Sequence, residues 1–246
     1  MSAFFNEIFY RPLFNTLIFL YQNITLGDLG LAIILLTIIV RFLLYPLFHK
    51  SAKNQRIMQM LQPKIKKIQT EHKDNKEKQA TALLEIYREH RVNPFSGFFL
   101  LLVQIPVLIA LYNVFLYGLA DGALGSLYSF IPKPETLNFD FLGLINLHER
   151  SMVIVGLAVG AQYIQGKLSL TGAEAGKDLS PQERMAKQMV FIGPVLALIV
   201  LMNMPAAIGL YWLTGTVFSV FQQIIVNKSL RGFPNAARSD TASTEV

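Results

Sequence analysis

Residues 31–48 read LAIILLTIIVRFLLYPLF, and this stretch decides the fold. An apolar run of this length approaches the ~20 residues that a transmembrane helix needs. Its one charged residue is Arg41, although a guanidinium near the centre of such a helix costs about 2.5–3.5 kcal/mol on insertion scales. None of the 16 acidic residues of the chain falls in a segment predicted to lie inside the bilayer. Arg41 must therefore face water within the protein, a carbonyl-lined pocket, or an acidic group that a partner brings.

The composition supports an all-α integral membrane protein. The chain of 246 residues is 52% hydrophobic and only 15% charged, whereas soluble domains carry about 25% charged residues. It contains no cysteine, which excludes disulfides, thiolate catalysis and Cys-ligated metals. The first twenty residues do not resemble a cleaved signal. The net charge of +6 is no signature of sequence-specific nucleic-acid binding.

Five segments have the length and apolarity of transmembrane helices. They are 30–48, 95–118, 151–168, 188–204 and 206–226. Of the 22 lysines and arginines, 11, 4 and 3 lie in the connecting segments 50–92, 167–187 and 228–246. Because cytoplasmic loops carry the excess of Lys and Arg, the predicted topology has the N-terminus outside and the C-terminus in the cytosol.

The two ends of the chain are predicted differently. Residues 3–22 mix aromatic side chains with Glu7, Arg11 and Pro12, and we expect a helix lying in the outer interface; a sixth span is the alternative. The tail 231–246 is small and polar, and we expect it to be disordered.

Segment 50–92 is predicted to form a cytosolic helical hairpin. Ile57, Leu61, Ile65 and Ile68 are spaced four, four and three residues apart, which is one face of a helix. The charged stretch that follows interrupts this pattern, and Asp74 with Glu77 three residues later favours the start of a second helix.

Several polar side chains are predicted at membrane depth together with Arg41. Thr37 lies one helical turn from Arg41, and Gln104 precedes Pro106, which is expected to kink its helix. The others are Gln162, Thr214, Thr216, Ser219 and Gln222. Arg41 could snorkel to the cytosolic headgroups, and each polar group could bond between helices. Taken together, they favour a shared hydrophilic groove. Tyr211 and Trp212 belong either to this groove or to an aromatic belt.

No enzyme, metal or cofactor site emerges from the sequence. The four histidines, His49, His72, His90 and His148, lack metal-ligand spacing, and no nucleophile elbow or phosphate loop is present. We therefore expect a non-enzymatic protein without cofactors. The GxxxG pattern of Gly156 and Gly160 indicates helix packing.

Four motifs in a fixed order resemble the YidC-type membrane protein insertases, a family shared by bacteria, mitochondria and chloroplasts. They are TIIVRFLLYPL (37–47), MLQPKIKKIQ (60–69), NPFSGFFLLLVQIPVLIALYNV (93–114) and IGLYWLTGTVFSVFQQ (208–223). The resemblance implies an insertase and chaperone of the bacterial cell membrane that inserts and helps fold nascent membrane proteins. It further implies a groove open to the cytosol and to lipid, lined by Arg41, Thr37, Gln104, Tyr211 and Trp212. Implied partners are nascent chains, the ribosome, the Sec translocon and anionic lipids.

Two other functions remain as alternatives. A small channel or anion transporter would use Arg41 as its selectivity charge. A membrane anchor would bind ribosomes or anionic lipid through segment 50–92.

Overall fold

Helices dominate the structure, a computed structural model that describes residues 3–93, 96–115, 123–134, 136–170 and 181–230. The helices are α1 (Ala3–Phe5), α2 (Arg11–Asn23), α3 (Leu29–Leu43), α4 (Tyr45–Met60), α5 (Gln62–Glu71), α6 (Lys76–Glu89), α7 (Ser96–Asn113), α8 (Met152–Ser169), α9 (Pro181–Leu201) and α10 (Ala206–Ser229). A π-helical turn, Asn6–Tyr10, joins α1 to α2, and a 3-10 turn covers Ala123–Ser126. The predicted tail 231–246 lies outside the described residues, as do 94–95 and 116–118 at the ends of the predicted span 95–118.

The first long helix, α2, packs on α3. Phe14, Leu17 and Ile18 of α2 are completely buried. The turn at 24–28 connects the two helices, and the Asp28 side chain then caps α3 by accepting the backbone N–H of Leu31 at 2.8 Å. Such a cap satisfies a donor that the first turn of a helix would otherwise leave unpaired.

The predicted span 30–48 is bent. Helices α3 and α4 meet at Leu44 with an angle of 67° between them. Pro46 lies in the first turn of α4, where its missing N–H costs least, but it cannot continue the hydrogen bonds of α3. Apolar helix α3 and polar helix α4 therefore run in different directions.

Helices α5 and α6 form a hairpin attached to the end of α10. Ile57, Leu61 and Ile65 of the predicted stripe are buried against Val226 and Leu230. The hairpin closes where Gln79 Nε2 donates to the Gln69 carbonyl at 3.0 Å. Helix α6 begins one residue later than the Asp74–Glu77 pattern predicts, because Asn75 is the cap and accepts from Lys78 N at 2.9 Å.

Helices α8 and α10 run parallel. Ile154 lies beside Gly209 near the start of both helices, and Asn227 donates to the Leu168 carbonyl at their other end, at 2.9 Å. Helix α3 runs in the same direction. Asp28 at its start bonds Leu142 of the loop that also bonds Ala207 at the start of α10, and Arg41 near its end contacts Ser219.

Helix α9 runs against α8. Gly166 lies next to Val190, whereas the earlier residue Gln162 lies next to the later residue Gly193. Gly156 and Gly160 have no described neighbour within 4 Å of the position of a Cβ atom. Within the described chain, the predicted packing of another helix onto this GxxxG pattern is therefore wrong, because α9 contacts a different face of α8.

A small loop domain covers the end of the bundle at which α3, α8 and α10 begin. Its two-stranded antiparallel sheet consists of β1 (Asp140–Phe141) and β2 (Ile145–Asn146). The backbone amides of Ala206 and Ala207 donate to Glu149 and Leu147 at 2.7 and 3.1 Å. These bonds fix the loop to the start of α10.

By length and composition, one described helix, Ala206–Ser229, could cross a membrane, and the bent pair α3 and α4 raises this number to two. Leu102–Asn113 and Val190–Leu201 are shorter apolar helices.

Candidate functional site

A cavity of about 430 Å³ opens between α3, α4, α7, α8 and α10. Its wall combines one cation with hydroxyl and amide groups and with apolar side chains. The polar members are Arg41, Ser51, Gln55, Gln104, Gln162, Gln165, Ser169, Thr216, Ser219 and Gln223. The apolar and aromatic members are Phe48, Ala52, Ile105, Leu108, Tyr211 and Trp212.

Arg41 supplies the only formal charge among these residues. Its Nη1 atom donates to the Ser219 hydroxyl at 3.2 Å, and its Cζ atom lies 4.6 Å from the centre of the Phe48 ring. A cation over an aromatic face gains about 0.5–2 kcal/mol, depending on desolvation. None of the described carboxylates forms an ion pair with Arg41. The guanidinium is thus held in place but not neutralised.

Gly215 provides the space for this guanidinium. A Cβ atom on residue 215 would lie 2.7 Å from Nη2 of Arg41 and 3.2 Å from Nε. The absence of a side chain at this position therefore allows Arg41 to lie flat against α10.

Two hydrogen-bonded pairs tie α10 to the neighbouring helices. Gln104 Nε2 donates to the Tyr211 hydroxyl at 2.7 Å, and Trp212 Nε1 donates to Gln162 Oε1 at 2.9 Å. Tyr211 is 5% exposed, so its hydroxyl depends on Gln104 for a partner. These bonds hold polar groups at the wall of the cavity.

The structure brings four of the five predicted groove residues to one cavity and leaves out the fifth. Arg41, Gln104, Tyr211 and Trp212 line it, whereas Thr37 is not among its lining residues. Thr37 is 1% exposed, and its hydroxyl donates to the Ile33 carbonyl of its own helix at 2.7 Å. Because this bond satisfies the hydroxyl, Thr37 needs no contact with the cavity.

Of the other polar side chains predicted for the groove, Gln162, Thr216 and Ser219 line the cavity, whereas Thr214 and Gln222 are not among its lining residues. Sequence reasoning missed Gln165, Ser169 and Gln223. Gln165 and Ser169 follow Gln162 by three and seven residues on α8, which places all three on one helix face. The same spacing relates Trp212, Thr216, Ser219 and Gln223 on α10. On these two helices the spacing of polar residues in the sequence therefore predicts one polar face. Ser51 and Gln55 carried no such signal, because they belong to the segment predicted to lie in the cytosolic hairpin.

The chemistry of the wall suits binding of a polar segment. An unpaired cation attracts a carboxylate most strongly where the dielectric constant is low, and amides both donate and accept hydrogen bonds. The described residues contain no group of three or more His, Cys, Asp or Glu side chains placed to hold a metal ion.

Known proteins resemble this chain over most of its length. A membrane protein insertase YidC of Pelobacter propionicus is 32% identical over 221 residues, which cover 89% of this chain and 38% of the relative. Another from Geobacter sulfurreducens is 30% identical over 89% of this chain and 37% of the relative. A third, from Francisella tularensis subsp. novicida, is 32% identical over 93% of this chain and 36% of the relative. The chain thus spans well under half the length of these relatives.

A solved structure has a similar fold. The crystal structure of an active YidC insertase, with its first transmembrane domain resolved, superposes with a TM-score of 0.58 at 27% identity. The match covers 89% of this chain and 46% of that one, and it confirms the resemblance to YidC-type insertases drawn from the motifs. The family described as 60Kd inner membrane protein matches residues 19–232, and the chain belongs to this family.

Proposed function

We propose that this chain is a membrane protein insertase whose cavity receives a polar segment of a nascent membrane protein. The observation that carries the proposal is the unneutralised Arg41 guanidinium in a cavity walled by amides and hydroxyls. In an apolar environment each polar group of a passing segment must find a hydrogen-bond partner. The glutamines of the wall offer such partners, and Arg41 offers a charge for an acidic side chain.

The proposed transfer draws on two favourable terms and not on nucleotide hydrolysis. A carboxylate 4 Å from a guanidinium gains about 4 kcal/mol at an effective dielectric constant of 20, before desolvation is subtracted. The hydrophobic span of the substrate gains about 25 cal/mol for each Å² of apolar surface that leaves water. The cavity lowers the barrier for the polar segment, and the apolar span drives the overall transfer into lipid.

The proposed topology has five spans, with the N-terminus outside and the C-terminus in the cytosol of a bacterial inner membrane. Three observations support it. Helices α3, α8 and α10, which are the odd-numbered spans, run parallel, and α9 runs against α8. The segments rich in Lys and Arg follow the first, third and fifth predicted spans along the sequence, which the positive-inside rule assigns to the cytosol. The match to an inner membrane protein family agrees with the location.

Helix α2 is proposed to lie across the outer end of the bundle and not to span the membrane. Asn15, near its start, donates to the Ser126 carbonyl at 3.1 Å, and Gln22, near its end, donates to the Pro132 carbonyl at 3.0 Å. Both acceptors belong to the loop that covers this end. Contacts of Asn15 and Gln22 with one and the same outer loop support the interfacial position over a sixth span.

The hairpin 50–92 is proposed to receive the substrate on the cytosolic side and to approach anionic lipids. Its 11 basic residues favour both a negatively charged membrane surface and ribosomal RNA. The ribosome and the Sec translocon are proposed as partners that deliver the nascent chain to this protein.

Site-specific crosslinking tests the function. A photoreactive residue is placed at Gln104 or Gln165, and as a control at Val153, which is on α8 but far from the cavity. Ribosome-stalled chains of a single-span protein with an acidic tail should crosslink to positions 104 and 165 and not to 153. Equal crosslinking at all three positions would contradict the groove. Steady anion flux through reconstituted vesicles without substrate would instead favour the channel.

A further inference from the structure

Two loops lie side by side at the end of the bundle where α3 begins. Asp28 joins them: its Oδ1 atom accepts from Leu31 N and its Oδ2 atom from Leu142 N, both at 2.8 Å. The Phe141 ring fills the space beside Gly30. The turn 24–28 and the hairpin tip 142–144 therefore form one surface, which we call the outer tip.

The outer tip exposes leucines at positions that do not suit them. Leu26 is 97% exposed, Leu144 83% and Leu142 57%. Leu26 and Leu142 also have φ angles of +53° and +52°, a conformation that glycine and asparagine adopt far more readily. Neither the packing of the described residues nor their backbone geometry accounts for leucine at these two places.

We propose that the outer tip inserts into the outer leaflet of the membrane, at the boundary between headgroups and acyl chains. Its apolar surface continues into the exposed face of α3, through Leu31, Ile39 and Phe42. Residues 24–27 and 142–144 carry no charge, and both oxygens of the nearby Asp28 are occupied by backbone amides. A lipid surface suits such a tip, since it needs no complementary shape. This inference rests on the proposed orientation, in which this end faces outward.

Insertion of the tip would set the depth of Arg41. Arg41 comes twelve residues after Leu29 in α3, a rise of about 18 Å at 1.5 Å per residue. In a hydrocarbon core about 30 Å thick, a tip fixed at the outer boundary places Arg41 beyond the midplane, toward the cytosol. The outer tip thus becomes a positioning element for the cavity.

The lack of cysteine allows a direct test on the full chain. Single cysteines introduced as Leu26→Cys and Leu144→Cys are labelled with bimane, and the protein is reconstituted in phosphatidylcholine–phosphatidylglycerol vesicles containing lipids spin-labelled near the headgroup or deep in the acyl chain. The control is Glu149→Cys in the same loop domain, at an exposed residue. We expect at least twofold quenching at 26 and 144, stronger with the shallow spin label, and little quenching at 149.

Three outcomes would overturn the proposal. Quenching at 26 and 144 no greater than at 149 would exclude lipid contact, and crosslinking of the tip to a second copy or to another protein would assign it to that partner. Protection of the Glu149→Cys variant from an impermeant thiol reagent in intact cells would overturn the orientation, and the outer-leaflet assignment with it. Substrate insertion is measured on the same variants. Normal substrate insertion without lipid quenching would contradict only the proposed contact between the outer tip and lipid. It would not contradict the proposed insertase function.

Discussion

The guanidinium of Arg41 occupies the space beside Gly215, where a Cβ atom would lie only 2.7 Å from Nη2. The sequence alone does not indicate that these two residues are in contact, since they are far apart along the chain. In the structure, the missing side chain at 215 lets the cation lie on α10 and donate to Ser219.

Gly215→Ala is therefore expected to displace the guanidinium without unfolding the protein. The methyl group collides only with the end of a flexible side chain, and alanine gains about 1 kcal/mol over glycine in a helix. Insertion of acidic-tailed substrates into vesicles should fall toward the level of Arg41→Ala, while thermal stability changes by less than about 1 kcal/mol. Gly160→Ala, which meets no described atom within 4 Å, is the matched control and should insert normally.

The charge of Arg41 is expected to matter only for acidic substrates. Arg41→Lys should retain most insertion of a single-span protein with an acidic tail, and Arg41→Ala should lower it several-fold, because the attraction between cation and carboxylate is lost. When the acidic residues of the tail are changed to amides, the two variants should insert equally. A persistent difference would show that Arg41 acts through the fold and not through substrate charge.

The bond between Gln104 and Tyr211 is expected to stabilise the packing of α7 on α10 modestly. Tyr211→Phe removes the hydroxyl, and hydrogen bonds between membrane helices contribute about 0.6 kcal/mol on average. Thermal unfolding in detergent of Tyr211→Phe, Gln104→Met and the double variant measures the coupling. Additive effects of the two changes would indicate that the 2.7 Å contact contributes nothing to stability.

The buried cluster at the base of the hairpin is expected to hold α5 and α6 in place. Leu61 is 3% exposed and packs with Ile65 and Val226, so Leu61→Ala should cost about 2–5 kcal/mol locally. Limited proteolysis should then cut the hairpin faster. Leu84→Ala, at a position 61% exposed, is the control and should leave the cleavage rate unchanged.

Much of the helical framework was readable from the sequence, because apolar length and helical spacing are local properties. The bend at Leu44 was not, since Pro46 stands within an uninterrupted apolar run and hydropathy does not report helix direction. At the site, unpaired polarity in apolar sequence identified Arg41 and Gln104. The same criterion included Thr37, whose hydroxyl bonds within its own helix. It also passed over Gln55, because the bend that turns α4 toward the cavity had not been predicted.

The strained leucines of the outer tip should reveal themselves in stability measurements. Leu26 has a φ of +53° and is 97% exposed, so it gains nothing from packing while the left-handed conformation costs about 1–2 kcal/mol. In detergent micelles that do not reproduce a bilayer interface, Leu26→Asn and Leu26→Gly should therefore raise stability by about 0.5–1 kcal/mol. In vesicles the gain should shrink or reverse, because the leucine then contributes its apolar contact with lipid. Leu31→Asn serves as the control. Because Leu31 lies in a regular helix, this substitution relieves no backbone strain. If Leu26→Asn stabilises the protein equally in micelles and vesicles, then Leu26 gains no stabilising contact with the membrane.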